Sequence, residues 1–417
     1  MSCQSYHVSR REFLHAAGTL GVASLLGMPV RELMAGNTTG TAEHVILLWM
    51  SGGMSHIDTL DPKPGRKVGG EFQPIKTTAS GVEISEILPT LASQMKHAAL
   101  VRSINGVEGD HGRARYNVMT GYRMAPQLVH PGMGSIISSQ RHQIGDLPSF
   151  VAVGGRAMSS GYLGQKCEAY FIGTPGMPDP YVQLPEGINE VRAKRRLEVL
   201  DQMNNGFSKR HPDPYLDATE DSYTAAMNFM KSPALKAFKL EEESTDVRER
   251  YGISMFGRGC LLARRLVEQG VRFVQVSLGG FDTHDNNFAA LQQRAAVLDP
   301  AIGSLIDDLN STGMLSKTMV VLLSEFGRTP RINDDNGRDH HPRVFSTMMA
   351  GGGIKPGTVV GSSDKDGFEP KDRPVKVADI HATVCRALGV DPNHEVMTPL
   401  KRPMKLVDGG TAVTELL

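Results

Sequence analysis

The run Val45-Ile46-Leu47-Leu48-Trp49-Met50, followed at once by Ser51-Gly52-Gly53, decides the reading of this chain. An apolar run without alternation leaves no face for water, so it reads as a short strand buried on both sides. Two later stretches have the same form. Val271 to Leu278 is mostly apolar and ends in Gly279-Gly280; Met319 to Leu323 is apolar and ends in Ser324-Glu325-Phe326-Gly327. Helical patterns lie between the strands. Leu261 to Glu268 stops at Gly270, which suits a helix end. Phe288 to Leu309 has apolar residues at helical spacing, and Pro300 inside it is expected to kink or divide the helix. Strand, helix and strand in alternation predict an α/β fold: a mostly parallel central sheet covered by helices on both faces.

The composition bounds the partners. The 417 residues carry 45 basic and 45 acidic side chains, a formal net charge of zero, which argues against nucleic-acid binding. Cys167, Cys260 and Cys385 are widely spaced, so they form neither a disulfide framework nor a cysteine zinc site. Cys260 and Cys385 read as small core residues. The stretch from about 156 to 244 is richer in Pro, Gly, Tyr and charge, and reads as an inserted cap or lid on a single domain spanning 42–417.

The first 35 or so residues read as a twin-arginine export signal. Arg10-Arg11 precede Phe13-Leu14 and an uncharged Ala- and Gly-rich stretch from Ala16 to Val30, with a small-residue cleavage site near Ala35-Gly36. That stretch is too short and too dilute in large apolar residues for a bilayer-spanning helix. The expectation is a mature protein outside the cytoplasm, periplasmic or extracellular, with no membrane span.

Ligands in open parallel sheets bind beyond the carboxyl ends of the strands. The residues just after the predicted strands are therefore the candidates. His56, Asp58 and Asp61 follow the first; Asp282, His284 and Asp285 follow the second; Glu325 and Arg328 follow the third. Two further clusters are Gly109-Asp110-His111-Gly112-Arg113-Ala114-Arg115 and Gly337-Arg338-Asp339-His340-His341-Pro342. A set of His56, Asp58, Asp282, His284, Glu325, Asp339, His340 and His341 has the donor chemistry for a divalent cation, whether zinc, calcium, manganese or magnesium. Arg113, Arg328 and Arg338 have the donor geometry to clamp an oxyanion such as sulfate or phosphate. A single His-Asp pair in a loop is more often a hydrogen-bonded turn, but clusters at several strand ends are less easily coincidental. His381, on an otherwise apolar helix pattern, reads as a satisfied, half-buried histidine.

Across these residues the chain resembles the exported family called domain of unknown function 1501, abundant in planctomycete-like bacteria. The matching stretches are Gly52-Gly53-Met54-Ser55-His56-Ile57-Asp58-Thr59-Leu60-Asp61-Pro62-Lys63-Pro64, Gly69-Gly70-Glu71-Phe72, Leu262-Ala263-Arg264-Arg265-Leu266-Val267-Glu268, Phe281-Asp282-Thr283-His284, Glu325-Phe326-Gly327-Arg328-Thr329-Pro330 and Gly337-Arg338-Asp339-His340. That family looks like a remote relative of sulfatases and alkaline phosphatases. The resemblance implies an alkaline-phosphatase-like sandwich with a metal site at the strand ends. Met349 to Gly357 resembles the strand and turn that follow the metal site in those enzymes.

The departures bear on function. His111 stands near the position of the sulfatase or phosphatase nucleophile, Ser51-Gly52 where paired aspartates would stand, and Phe326 where a His is expected. His111, with Arg115 beside it, is the expected catalytic group, as a phosphoryl-accepting nucleophile, a general acid/base or a rearranged metal ligand. The reading is a metal-dependent hydrolase of sulfate or phosphate esters, on a small molecule or a polysaccharide. The alternative is a non-catalytic protein of the same fold that binds a sulfated glycan or a partner protein. A dehydrogenase is disfavoured because Gly-x-Gly-x-x-Gly is absent after the first strand, and an α/β-hydrolase because Gly-x-Ser-x-Gly is absent.

Overall fold

The structure, a computed structural model, describes residues 40–177, 182, 184, 186–208 and 214–417. The export segment, residues 1–35, lies outside the described residues. The centre is a nine-stranded sheet. Its strands are β1 His44–Met50, β2 Ala98–Asn105, β3 Phe150–Val153, β4 Tyr170–Ile172, β5 Phe273–Leu278, β6 Thr318–Leu323, β7 Phe345–Ala350, β8 Val359–Val360 and β9 Val375–Lys376. The order across the sheet is β8-β2-β7-β6-β1-β5-β3-β4, with β9 also paired to β2.

The three strands predicted from apolar runs are neighbours at the middle of this sheet. Val45 to Met50 of β1 pair in parallel with Phe273 to Leu278 of β5, and His44 to Trp49 pair with Thr318 to Leu323 of β6. Every residue of β1 and β6 is buried, as strands covered on both faces require. Each Leu or Ile so buried contributes about 1.5–3 kcal/mol. β7 alone is reversed: it is antiparallel to both β2 and β6, whereas the remaining pairs are parallel. The loop before β7 therefore lies at the same end of the sheet as the loops that follow the other strands.

The helices are α1 Pro89–Gln94, α2 His111–Thr120, α3 Met133–Gln140, α4 Glu190–Ser208, α5 Pro214–Lys231, α6 Thr245–Tyr251, α7 Met255–Glu268, α8 Asn287–Ser311 and α9 Val377–Ala387. Alternate side chains of the strands divide the core into two layers. Ile46, Leu48, Val274, Val276, Val320 and Leu322 pack with apolar residues of α1, α7 and α8. Leu47, Trp49, Phe273, Met319, Val321 and Leu323 pack with those of α2, α3 and α9. Cys260 belongs to the first layer and Cys385 to the second; neither is paired. His381 is wholly buried rather than half-buried, with its Nε2 2.8 Å from the Val118 carbonyl.

Serine and aspartate begin three of these helices. Ser254 accepts from the Gly257 amide at the start of α7, Ser244 from Val247 at α6, and Asp110 from Arg113 at α2. α8 departs from the sequence reading: it is one continuous helix with Pro300 inside. The carbonyl that Pro300 leaves without a donor belongs to Ala296, an exposed position where water can serve instead. Asp299 faces the other way, and its two carboxylate oxygens accept from the Thr90 and Leu91 amides, both at 2.8 Å, at the start of α1. Within the stretch 156–244, β4 extends the sheet, and Ile172, Phe229, Ala237 and Leu240 join the first core layer.

Candidate active site at the strand ends

β1, β5 and β6 end side by side, and the segments that leave them meet. Ser51-Gly52-Gly53 turns away from β1 with φ of 116° at Gly52 and 80° at Gly53, values that suit glycine. A Cβ on Gly52 would come within 2.5 Å of the Asp282 amide, and one on Gly53 within 2.4 Å of the Phe326 ring. The Gly-Gly pair thus lets the segments after β5 and β6 pack directly on the end of β1. His111 arrives as the first residue of α2, after β2. His340 arrives just before the reversed β7, in a two-residue ladder of His340–His341 with Gly327–Arg328.

Three imidazoles converge on Asp282 there. Its Oδ1 lies 3.2 Å from His111 Nε2, 3.1 Å from His284 Nε2 and 3.2 Å from His340 Nε2. His284 Nε2 and His340 Nε2 are 2.9 Å apart. His111, Asp282 and His340 each offer a ligand atom within 4.8 Å of the others. His111 Nε2 is buried and makes no hydrogen bond.

The far side of each ring is committed. His111 Nδ1 meets Glu325 Oε1 at 3.0 Å, His284 Nδ1 meets Asp339 Oδ1 at 2.8 Å, and His340 Nδ1 meets the Gly109 carbonyl at 2.7 Å. A carboxylate or carbonyl only accepts, so each Nδ1 carries the proton. Each ring therefore turns its Nε2 toward the centre, where it meets Asp282. The buried His111 Nε2 has no hydrogen-bond partner and faces Asp282 and His340, a donor set that fits a divalent metal, and the Nδ1 partners are the kind that orient metal-binding histidines.

The carboxylates are held as firmly. Glu325 is buried, and its Oε1 also accepts from the Gly52 amide at 2.8 Å. Asp339 accepts from His284 and, at 3.4 Å, from Asn333 Nδ2; the His284 bond is the main reason its carboxyl lies below the usual range. Burial pushes the Asp282 carboxyl up, but the hydrogen bond and charge of Arg328, with His340 and His111, outweigh it and hold the group well below the usual range. Phe326 fills the space beneath, with its ring centroid 5.0 Å from that of His111 and 4.6 Å from that of His340.

Of the candidates from sequence, the fold thus gathers His111, Asp282, His284, Glu325, Asp339 and His340, with Arg328 behind Asp282. It takes the others elsewhere. Asp58 and Arg338, both with no side-chain exposure, form an ion pair with Arg338 Nη2 2.9 Å from Asp58 Oδ1 and Nε 2.7 Å from Oδ2. Arg338 also donates to the carbonyls of Thr329, Pro330 and Val68. Arg328 is likewise enclosed and donates to the carbonyls of Gly52, Gly53 and Arg338 as well as to Asp282. Each guanidinium makes four hydrogen bonds inside the fold, so little of either is open to a ligand oxyanion. His56 Nε2 lies 3.0 Å from the Gly367 carbonyl and His341 Nε2 2.7 Å from the Phe368 carbonyl, so this pair secures the 364–369 loop. Burial lowers the His56 pKa to about 4 and lowers that of His341. Arg113 is exposed and pairs with Glu108 at 3.3 Å; Arg115 donates to the Arg156 carbonyl.

Asn333, which steadies Asp339, was not singled out from sequence, and Gly109, which opens the His111 cluster, contributes through its carbonyl to His340 Nδ1. Asn333 stands in Asn333-Asp334-Asp335-Asn336-Gly337, whose turn-forming composition was the available signal. A cavity of about 680 Å³ lies elsewhere, lined by residues that include Ser138, Phe150, Tyr170, Phe229 and Met230 and by none of the cluster.

No curated protein matches the chain in sequence. Among solved structures it is similar to the phosphonate monoester hydrolase SpPMH from Silicibacter pomeroyi, at 12% identity and a TM-score of 0.41 over 89% of this chain and 76% of that one. It is also similar to the PsFucS1 sulfatase from Pseudoalteromonas sp., at 15% identity and a TM-score of 0.37 over 92% and 72% of the two chains. A protein in the alkaline phosphatase superfamily from Vibrio parahaemolyticus matches at 11% identity and a TM-score of 0.34, over 84% and 68%. In sequence, residues 42–417 match the family described as "Protein of unknown function (DUF1501)", and the chain belongs to that family.

Proposed function

We propose that this protein is an exported metal-dependent hydrolase of sulfate or phosphate esters, with its reaction centre among His111, Asp282, His284 and His340. One observation carries the proposal: Nε2 atoms of three histidines meet at one carboxylate oxygen while every Nδ1 proton is spent outward. A divalent cation held there supplies Lewis-acid polarisation of a bound ester. The chain's own groups do the rest. Glu325 accepts from His111 Nδ1 and so holds Nε2 toward the centre, and Arg328 keeps Asp282 ionised and aimed. Phe326 closes the floor against water. Export rests on the Arg10-Arg11 segment and its apolar stretch.

A second reading, a binding protein that does not turn over its ligand, is favoured by the arginines. The enclosed Arg328 and Arg338 spend their donors on the protein itself, which leaves the metal as the chief attraction for an anion. Purified full-length protein assayed with a panel of aryl sulfates, phosphate monoesters and phosphate diesters separates the two. Turnover that disappears in His340→Ala supports the hydrolase. Metal retention without turnover on any ester class refutes it and leaves the binding protein. Fractionation of producing cells tests export: cytoplasmic retention of the mature chain would refute that part.

A further inference from the structure

The geometry points to a single ion of the zinc class at this site, taken by the Nε2 atoms of His111 and His340 together with Asp282, with His284 Nε2, 2.9 Å from that of His340, as the adjoining fourth donor, to the exclusion of calcium, magnesium and any second ion. This rests on the metal reading above and adds the identity class and the number.

The donors decide the class. Three imidazole nitrogens and one carboxylate oxygen suit zinc and its borderline neighbours, which bind nitrogen readily. Calcium takes six to eight oxygens and magnesium a near-octahedral oxygen shell. Among the described residues, Asp282 alone presents a carboxylate oxygen within 3.2 Å of all three Nε2 atoms. The surrounding partners strengthen the case, since each ring nitrogen away from the centre already donates to Glu325, Asp339 or the Gly109 carbonyl.

The number follows from where the remaining carboxylates point. Glu325 Oε1 is shared between the Gly52 amide and His111, and Asp339 Oδ1 between His284 and Asn333. Asp58 is closed off by Arg338, Ser55 and Asn287. Asp61 is taken by Lys63 at 3.0 Å and by the Ser363 hydroxyl. Paired-metal sites need carboxylates or histidines for two ions about 4 Å apart; Asp282 Oδ1 is held by Arg328 as well, but it alone of these carboxylates lies within 3.2 Å of the three Nε2 atoms.

The test strips the full-length protein with a chelator, then equilibrates it with an equimolar mixture of zinc, calcium, magnesium and manganese. Retained metal is counted by plasma mass spectrometry after desalting. The expected result is about one equivalent of zinc and no retained calcium or magnesium. Cobalt(II) substitution should give the intense visible ligand-field bands of a low-coordinate nitrogen-rich site. His284→Ala and Asp339→Asn should each weaken zinc binding, the latter roughly 10–100-fold, with Trp49 fluorescence reporting an intact fold. Two equivalents, preferential calcium or magnesium, or unchanged zinc affinity in both variants would overturn the inference. Those results leave ester hydrolysis standing. One zinc with no ester turnover would overturn the hydrolase alone, and a metal-free protein would overturn both.

Discussion

Asp58→Asn tests whether the pair with Arg338 is a buried strut rather than part of a ligand site. The substitution keeps the shape of the side chain and removes its charge. In the wild type Asp58 receives the Arg338 guanidinium, the Ser55 hydroxyl at 2.6 Å and the Asn287 amide at 3.0 Å, and neither partner of the ion pair reaches water. Neutralising one member leaves a guanidinium enclosed with only backbone carbonyls around it. Breaking a buried pair in this way costs about 3–5 kcal/mol, roughly a fifth or more of the stability of a typical domain. The exposed pair of Arg343 with Glu369, whose side chains are 68% and 50% accessible, is the control. There Arg343→Ala should cost about 1 kcal/mol or less. Urea unfolding followed by the fluorescence of Trp49, the single tryptophan and buried in β1, reads both as midpoint shifts. A loss under about 1 kcal/mol for Asp58→Asn, or one equal to the control, would refute the strut. Metal lost from a stable Asp58→Asn protein would return Asp58 to the ligand set.

Acid should destabilise the protein through His56 and His381, both buried and both held near a pKa of about 4 by burial. The unfolded chain takes up these protons below about 6.5 while the folded one does not, so stability is full above that pH. It should fall by up to about 3 kcal/mol per group as pH drops to 4, and level off below. His381→Gln should flatten about half of that slope in pH-dependent urea midpoints; an unchanged slope would rule the burial argument out. Gly337→Ala should both destabilise the fold and weaken metal retention, because a Cβ there would sit 1.8 Å from the His284 carbonyl; normal metal content would show that the 333–341 loop yields without moving His284. Asp299→Ala should cost about 2 kcal/mol, since it strips the acceptors from two amides at the start of α1; a chemical-denaturation midpoint within error of wild type would contradict that cap.

Much of the sheet was legible from sequence because buried central strands are written as unbroken apolar runs. β1, β5 and β6 stood out for that reason, and the residues after them include Asp282, His284 and Glu325. The helix end at Gly270 was an equally local matter of backbone freedom, whereas the start of that helix, capped by Ser254, lies before the Leu261 read from sequence. β2, β3 and β4 were not read as strands, and β7 only in part through the resemblance of Met349 to Gly357. Which strand runs against the others depends on pairings hundreds of residues apart, not on any local pattern.

The sequence alone determined the residue types: histidines and carboxylates clustered at strand ends, with arginines among them. The tertiary structure alone decided which of them face one another. An Asp-x-x-Asp after a strand has the same spacing whether its first carboxylate faces a ligand or, as for Asp58, a guanidinium 280 residues away. Arg328 and Arg338 looked like clamps for an oxyanion, yet a guanidinium also donates to backbone carbonyls, and enclosure chose the carbonyls. The reversal of β7 brought His340 to the end of the sheet where β2, β5 and β6 deliver His111, Asp282 and Glu325. Direction and burial are properties of packing over long range, and for that reason the donor set became visible only in the folded chain.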